Sequence, residues 1–176
     1  RMLKHWATLL NTDCKVLQVG EHTVYPIFKN GFSSLTKAST KVYTDQEISQ
    51  CNNIHVLVRD PEQRFVSGVN EYCNINNVGI ERTYELIKQG KIMDRHFAPQ
   101  YLWLVHLYKF YKGNVTLKPF TYIQNITSIH EITIGDNKID VEALEDFVSV
   151  DRQLMELVNQ THDLGELISK YKHALS

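Results

Sequence analysis

The chain has 176 residues, of which 43% are hydrophobic and 10% aromatic, so it is long enough for one domain with a sizeable core and too apolar to be disordered. Its 19 basic and 20 acidic residues give a formal charge of −1, which argues against a general nucleic-acid binder but not against a small anion site. No apolar run approaches the roughly 20 residues that cross a bilayer and no signal peptide is visible, so we expect a cytoplasmic protein, or one of the Golgi lumen if the chain is a trimmed form of an anchored protein.

Strand and helix signals alternate in the first part of the chain. Residues 22–28 form a β-branched and aromatic run that predicts a strand, followed by a turn at residues 29–31. Ser33 or Ser34 then caps a predicted helix that runs through Leu35, Ala38 and Val42. Residues 54–58 are a near-continuous apolar run, which predicts a second strand buried on both faces of a parallel sheet.

The remaining elements are mostly predicted helices. Asp60 as N-cap, Pro61 at the first helical position and Gln63 at the third give the clearest helix start in the chain. A core helix is expected over residues 99–111 and a strand over residues 115–123. The rest is predicted helical, with apolar stripes at Leu154, Leu157 and Val158 and at Leu164, Leu167, Ile168 and Tyr171. This order of elements is typical of an α/β fold with a parallel sheet.

The first segment that can carry chemistry is Phe28-Lys29-Asn30-Gly31-Phe32-Ser33-Ser34-Leu35. It lies where a strand would lead into a helix, and uncapped N–H groups at a helix start bind phosphate well. Lys29 would add a mobile charge, and the two serines would add hydroxyl donors. The alternative is a β-hairpin, because Asn-Gly between apolar runs is a strong hairpin signal. The Walker A pattern is absent, which disfavours a Mg-dependent nucleotide hydrolase.

The second segment runs over residues 58–68, again at a strand-to-helix junction. Ligands of open α/β sheets gather beyond the carboxyl ends of the strands. Arg59 can hold a phosphate there with a bidentate fork, and Ser67 can assist. The alternative is a solvated surface on which Arg59 and Arg64 pair with Asp60, Glu62 or Glu71.

Together the two segments resemble the sulfotransferase family, most closely its carbohydrate-type branch, whose members use 3′-phosphoadenosine 5′-phosphosulfate (PAPS) as sulfuryl donor. A third segment, Asp94-Arg95-His96-Phe97-Ala98-Pro99-Gln100, is similar to the Asp-x-His-x-x-Pro-Gln stretch of several carbohydrate sulfotransferases. The resemblance covers roughly residues 22–125. It implies one sulfotransferase-like domain over residues 1–176, with a P-loop-like three-layer fold in which helices flank a central, mainly parallel sheet.

The resemblance also implies roles for individual residues. The donor's 5′-phosphosulfate would be cradled by Lys29, Asn30, Gly31, Phe32, Ser33 and Ser34. Lys29 would contact the transferring group, and Arg59 and Ser67 would bind the 3′-phosphate. His96 would contact the acceptor or act as the base, since imidazole titrates near neutral pH. A purely structural histidine is the alternative, and Glu71 or Asp94 would then take the proton.

The implied activity is sulfuryl transfer from PAPS to an acceptor hydroxyl or amine, on a carbohydrate by resemblance. No metal is expected, because the three cysteines form no CxxC pair and the eight histidines form no HxH or HExxH pair. The expected partners are the nucleotide donor and a small acceptor, without nucleic acid or a membrane segment; the oligomeric state is left open.

Two rival functions accompany this one. Phe32 stands where the family often has Thr or Ser, so a catalytically inactive nucleotide-binding or interaction protein on the same scaffold is the first rival. A phosphotransferase of nucleoside-kinase type is the second, and the missing Walker lysine position argues against it. The aromatic residues Phe97, Tyr101 and Trp103 are expected in the core rather than stacked on a sugar.

Overall fold

The computed structural model describes residue 10 and residues 13–127 and 141–171. Within them, a six-stranded sheet has the order β3-β1-β2-β4-β5-β6. The strands are β1 (Leu17–Val19), β2 (His22–Val24), β3 (Lys41–Val42), β4 (Asn53–Val58), β5 (Asn114–Pro119) and β6 (Thr161–Asp163). The helices are α1 (Phe32–Ala38), α2 (Asp45–Ser49), α3 (Pro61–Asn76), α4 (Ile80–Lys88), α5 (Gln100–Tyr108), α6 (Ile123–Ile126), α7 (Val141–Met155) and α8 (Leu164–Tyr171), with a 3₁₀ turn at Phe120–Tyr122.

The predicted α/β class is confirmed, but the sheet is mixed rather than mainly parallel. The central strands β2, β4 and β5 pair in parallel. Both edges are antiparallel, with β1 paired to β2 and β3 on one side and β6 paired to β5 on the other. Only two residues, Gly20 and Glu21, separate β1 from β2, and so short a connection permits only antiparallel pairing.

Helices pack against both faces of this sheet. Ile54, Val56 and Val58 of β4 lie in the larger hydrophobic core, which also holds residues of α3, α5, α7 and α8. Leu57 of the same strand lies in a smaller core with Leu35 of α1 and other residues from β1, β2 and α6. Because successive side chains of a strand point to opposite faces, the run over residues 54–58 is buried on both sides, as its sequence predicts.

Several predicted boundaries shift in the structure. The strand predicted over residues 22–28 ends at Val24, and the helix predicted through Val42 ends at Ala38, with Val42 exposed in β3. The strand predicted over residues 115–123 ends at Pro119 and gives way to a 3₁₀ turn, since proline cannot donate to a sheet ladder.

The best-defined helix start is confirmed. Pro61 begins α3, and the Asp60 side chain accepts a hydrogen bond from the Gln63 backbone N–H at 2.9 Å.

Among the described residues, no helix combines the length and the apolar character needed to span a membrane.

Candidate functional site

A cleft of about 470 Å³ opens at the carboxyl ends of the central strands. It is lined by residues from all three segments singled out above: Lys29, Gly31, Phe32, Ser33, Ser34, Arg59, Ser67 and His96. Phe28, Asn70, Glu71, Asn74 and Phe120 complete the lining. Segments separated by dozens of residues in the sequence therefore meet in one place, and Asn30 alone of the predicted site residues is not part of the lining.

The loop after β2 turns through two residues with positive φ. The Asn30 N–H donates to the Ile27 carbonyl at 3.1 Å, which closes a tight turn with Lys29 in its third position at φ 69°. Gly31 follows at φ 81° and precedes α1, whose start has no side-chain cap. A strand-to-helix loop is thus confirmed and the hairpin alternative is excluded, because residues 32–38 form a helix.

Asn30 anchors this loop from behind. Its side chain is completely buried, and its Nδ2 donates to the Leu57 carbonyl at 2.9 Å and to Gln100 Oε1 at 2.6 Å. The side chain therefore binds the end of β4 and the start of α5 rather than lining the cleft.

Arg59 is only 5% exposed, so its side chain does not lie on a solvated surface. The register pairs Val58 with Pro119, which places the next residues, Arg59 and Phe120, side by side. The Arg59 Cζ lies 4.8 Å from the Phe120 ring centroid, and its Nη1 donates to the Lys29 carbonyl at 2.9 Å. Burial lowers the pKa of Arg59, with Asp60 opposing the shift.

Gln100 connects these loops to one another. Its Oε1 accepts from the Arg59 backbone N–H at 2.9 Å, and its Nε2 donates to the Arg59 carbonyl at the same distance. The same Oε1 accepts from Asn30. One amide at the start of α5 therefore holds the loop after β2 and the loop after β4 in place. The sequence offers no signal for this role, because Gln100 stands out there only as the last residue of the third segment.

Arg64 lies in the core, 2% exposed, and not in the solvated ion pairs that the alternative interpretation of this segment gives it. Its Nε donates to the Phe28 carbonyl at 3.1 Å and its Nη1 donates to the Ala98 carbonyl. The guanidinium thus joins the Lys29 loop to the His96 loop. Burial lowers the pKa of Arg64 to about 10, partly offset by Asp151.

Asp151, on α7, is a buried carboxylate whose charge acts on the buried Arg64. It accepts hydrogen bonds from the backbone N–H groups of Gln100 at 2.7 Å and Tyr101 at 3.0 Å, at the start of α5. Burial raises its pKa to about 6, against the opposing influence of Arg64 and these hydrogen bonds. Asp151 therefore fixes the start of α5, and with it Gln100.

One face of α3 forms a wall of the cleft. Ser67, Asn70, Glu71 and Asn74 lie at positions i, i+3, i+4 and i+7 of this helix, which share one face. Glu71 Oε2 is 4.0 Å from Lys29 Nζ. The two asparagines are not among the residues predicted from sequence, although the helical spacing from Ser67 would have found them.

Gly68 lets α3 approach the His96 loop closely. A Cβ atom at Gly68 would stand 2.1 Å from the His96 carbonyl oxygen, far inside the contact distance. Close packing therefore explains a glycine in the middle of this helix, where it weakens the helix propensity by roughly 1 kcal/mol relative to alanine.

His96 and Asp94 form a hydrogen-bonded pair at the edge of the cleft. The Nδ1 of His96 lies 2.6 Å from Asp94 Oδ1, which also accepts from the His96 backbone N–H at 2.9 Å. Burial alone would raise the pKa of Asp94, but the hydrogen bonds from His96 outweigh it and lower that pKa. With Nδ1 bound to the carboxylate, the Nε2 of His96 stays available on a side chain that is 24% exposed.

Comparison with known proteins assigns no family. No family model matches the chain, and no curated protein or solved structure matches it. Over the part of the chain that is described, no group of three or more His, Cys, Asp or Glu side chains is placed to hold a metal ion. The cleft itself offers two cations, Lys29 and Arg59, with serine hydroxyls and the uncapped start of α1, and the Asp94–His96 pair lies at its edge.

Proposed function

We propose that the protein is a PAPS-dependent sulfotransferase with a P-loop-like arrangement of the loops around β2 and β4. The observation that carries the proposal is the convergence of Lys29, Arg59, Ser67 and His96 on one cleft. These residues come from three segments that lie far apart in the sequence, and the fold brings them to a single cavity. The three parallel central strands are consistent with such a fold.

The donor would bind along the floor of the cleft. Lys29, the serines at 33 and 34 and the first backbone N–H groups of α1 supply donors for the 5′-phosphosulfate, and Arg59 with Ser67 supplies them for the 3′-phosphate. Because Arg59 is held by its backbone and by the Lys29 carbonyl, the two anion sites are linked. Asn30 has a positioning role in this scheme, since its side chain is buried.

His96 would then serve as the base. The acceptor oxygen or nitrogen attacks the sulfur, the bond from sulfur to the bridging phosphate oxygen breaks, and the acceptor's proton passes to His96 Nε2. Asp94 orients the ring and stabilises the imidazolium that results. Lys29 stabilises the charge that develops on the departing phosphate, which is the usual role of a cation in group transfer.

Phe32 supports a second candidate function, a nucleotide-binding protein without catalysis. Its ring packs edge-on against Phe28, with centroids 4.6 Å apart, and supplies no hydroxyl to the loop. Binding would then depend on backbone groups and on Ser33 and Ser34. This rival predicts nucleotide binding without any transfer of sulfate.

Two measurements test the proposal. Adenosine 3′,5′-diphosphate at 100 times its Kd should stabilise the fold by about 2.7 kcal/mol, a Tm increase of roughly 5–10 °C for a chain of this size. ATP with Mg²⁺ at the same concentration should not stabilise the fold. Turnover with ³⁵S-labelled PAPS and a mixed panel of sugar acceptors then separates an enzyme from a binding protein. Stabilisation by ATP–Mg²⁺ alone would contradict the proposal.

A further inference from the structure

Hydrogen bonds join the loop after β2 and the loop after β4 in a closed ring. Arg59 Nη1 donates to the Lys29 carbonyl at 2.9 Å. The Arg59 backbone pairs in both directions with the Gln100 side-chain amide, whose Oε1 also accepts from Asn30 Nδ2 at 2.6 Å. Because Asn30 follows Lys29 in the chain, the ring returns to the Lys29 carbonyl. We refer to Lys29, Asn30, Arg59 and Gln100 together as the Gln100 ring.

The Gln100 ring is shielded from water. Asn30 and Gln100 are completely buried, and Arg59 is 5% exposed. Hydrogen bonds are stronger where water does not compete for them, and a buried polar group that loses its partner costs free energy. Gln100 is itself fixed by Asp151, whose Oδ2 accepts from the Gln100 backbone N–H at 2.7 Å. The ring therefore resists displacement of one loop relative to the other.

The two cations of the ring line the cleft, whereas Asn30 and Gln100 are not part of its lining. Binding groups have to be held within about 0.5 Å of the productive geometry. A ligand with two anionic ends gains affinity from its second end only when both sites can be reached at once. The quantity that the ring controls is therefore the spacing between the Lys29 site and the Arg59 site.

We infer that Gln100 is a positioning residue that fixes the spacing of the two anion sites, so that the cleft selects nucleotides phosphorylated at both the 3′ and the 5′ position. Gln100 acts through Asn30 on the Lys29 loop and through the backbone on Arg59. Without it, either site still binds a single phosphate after a small displacement, but one nucleotide no longer reaches both. The inference rests on the proposed function, because the two sites are those of the proposed donor.

The test compares three probes by isothermal titration calorimetry: adenosine 5′-monophosphate, adenosine 3′-monophosphate and adenosine 3′,5′-diphosphate. Gln100→Leu removes the amide and keeps a side chain of similar size. It should weaken binding of the diphosphate about tenfold, the scale of one charged hydrogen bond, and leave the affinity for either monophosphate nearly unchanged. A merely structural role of Gln100 would weaken the binding of all three probes alike.

Asn30→Ala breaks the same ring at a second point and leaves Gln100 paired with Arg59. It should show the same selective loss of affinity for the diphosphate, and it supplies the measurement if Gln100→Leu does not fold. Where both variants fold, the double variant should lose no more affinity than the weaker-binding single variant, because changes within one hydrogen-bond network are not additive.

Asn53→Ala is the matched control. Asn53 also joins two elements through its side chain, with Nδ2 donating to Thr116 Oγ1 at 3.0 Å, but it is the first residue of β4 and lies outside the cleft lining. This variant should keep the full preference for the diphosphate. Equal weakening of all three probes by Gln100→Leu and by Asn30→Ala, or additive losses in the double variant, would overturn the inference.

Binding by the unaltered protein separates this inference from the proposed function. If the unaltered protein prefers the diphosphate and the ring variants keep that preference, the inference is refuted and the proposed function stands. If the unaltered protein binds none of the three probes, or binds all three equally, the sulfotransferase proposal is contradicted and the inference fails with it.

Discussion

Lys29 has a positive φ, a backbone conformation that suits glycine. Substitutions at this position can therefore separate the effect of the backbone on stability from the effect of the ammonium group on catalysis. At φ 69° a residue with a Cβ costs about 1–2 kcal/mol, while glycine costs about 0.5–1 kcal/mol in backbone entropy. The ion pair with Glu71 spans 4.0 Å between partly exposed side chains and contributes less than about 0.5 kcal/mol. Lys29→Gly should therefore be about 0.5–1 kcal/mol more stable than Lys29→Ala.

Both variants should lose activity alike. Each removes the ammonium, and loss of one group that stabilises transition-state charge lowers kcat by roughly 10²–10³-fold, with little change in the KM for PAPS. Urea unfolding measures the stability difference, and steady-state turnover measures kcat. Equal stability of the two variants would refute the turn geometry, and full turnover by Lys29→Gly would refute the role of the ammonium.

Three further substitutions test the parts around Lys29. Gly68→Ala should destabilise the fold by about 1–2 kcal/mol and lower kcat, because the new methyl group meets the His96 carbonyl. Gly79→Ala is the control, since nothing surrounds a Cβ atom there; it should cost less than about 1 kcal/mol of stability and leave kcat unchanged. Arg64→Met should cost about 2–4 kcal/mol by leaving two carbonyls unpaired, and rescue by Arg64→Lys would argue against the fork geometry. His96→Asn should keep nucleotide affinity but remove the acid limb of the pH–rate profile; an unchanged profile would transfer the role to Glu71 or Asp94.

Local signals predict the elements that surround the site. The apolar run at residues 54–58 and the Asp60–Pro61 start define β4 and α3, because burial on two faces and helix capping leave direct traces in the sequence. The loop at Lys29 is different, since an Asn-Gly pair is compatible with both a hairpin and a strand-to-helix turn. Only the pairing of β2 with β4 rather than with residues 32–38 decides between them.

The sequence does not predict which charged side chains are buried by contacts with distant parts of the chain. Arg59 and Arg64 look like surface residues beside Asp60 and Glu62, yet both are buried. Their partners are carbonyl groups of distant loops, and every residue has a carbonyl, so no residue type marks them. The antiparallel edge strands escape prediction for a related reason, since three-residue strands such as β6 are too short to show alternation.

In the proposed donor complex, Arg59 and Ser67 bind the 3′-phosphate of a nucleotide whose 5′ end faces Lys29. Isothermal titration calorimetry should compare adenosine 3′,5′-diphosphate with adenosine 5′-monophosphate. The first nucleotide should bind more tightly by about 1.5–3 kcal/mol, the scale of a hydrogen bond to a charged group. Arg59→Ala and Ser67→Ala should each reduce that difference while leaving affinity for the monophosphate unchanged. Equal binding of the two nucleotides by the unaltered protein, or no binding of either, would contradict the account.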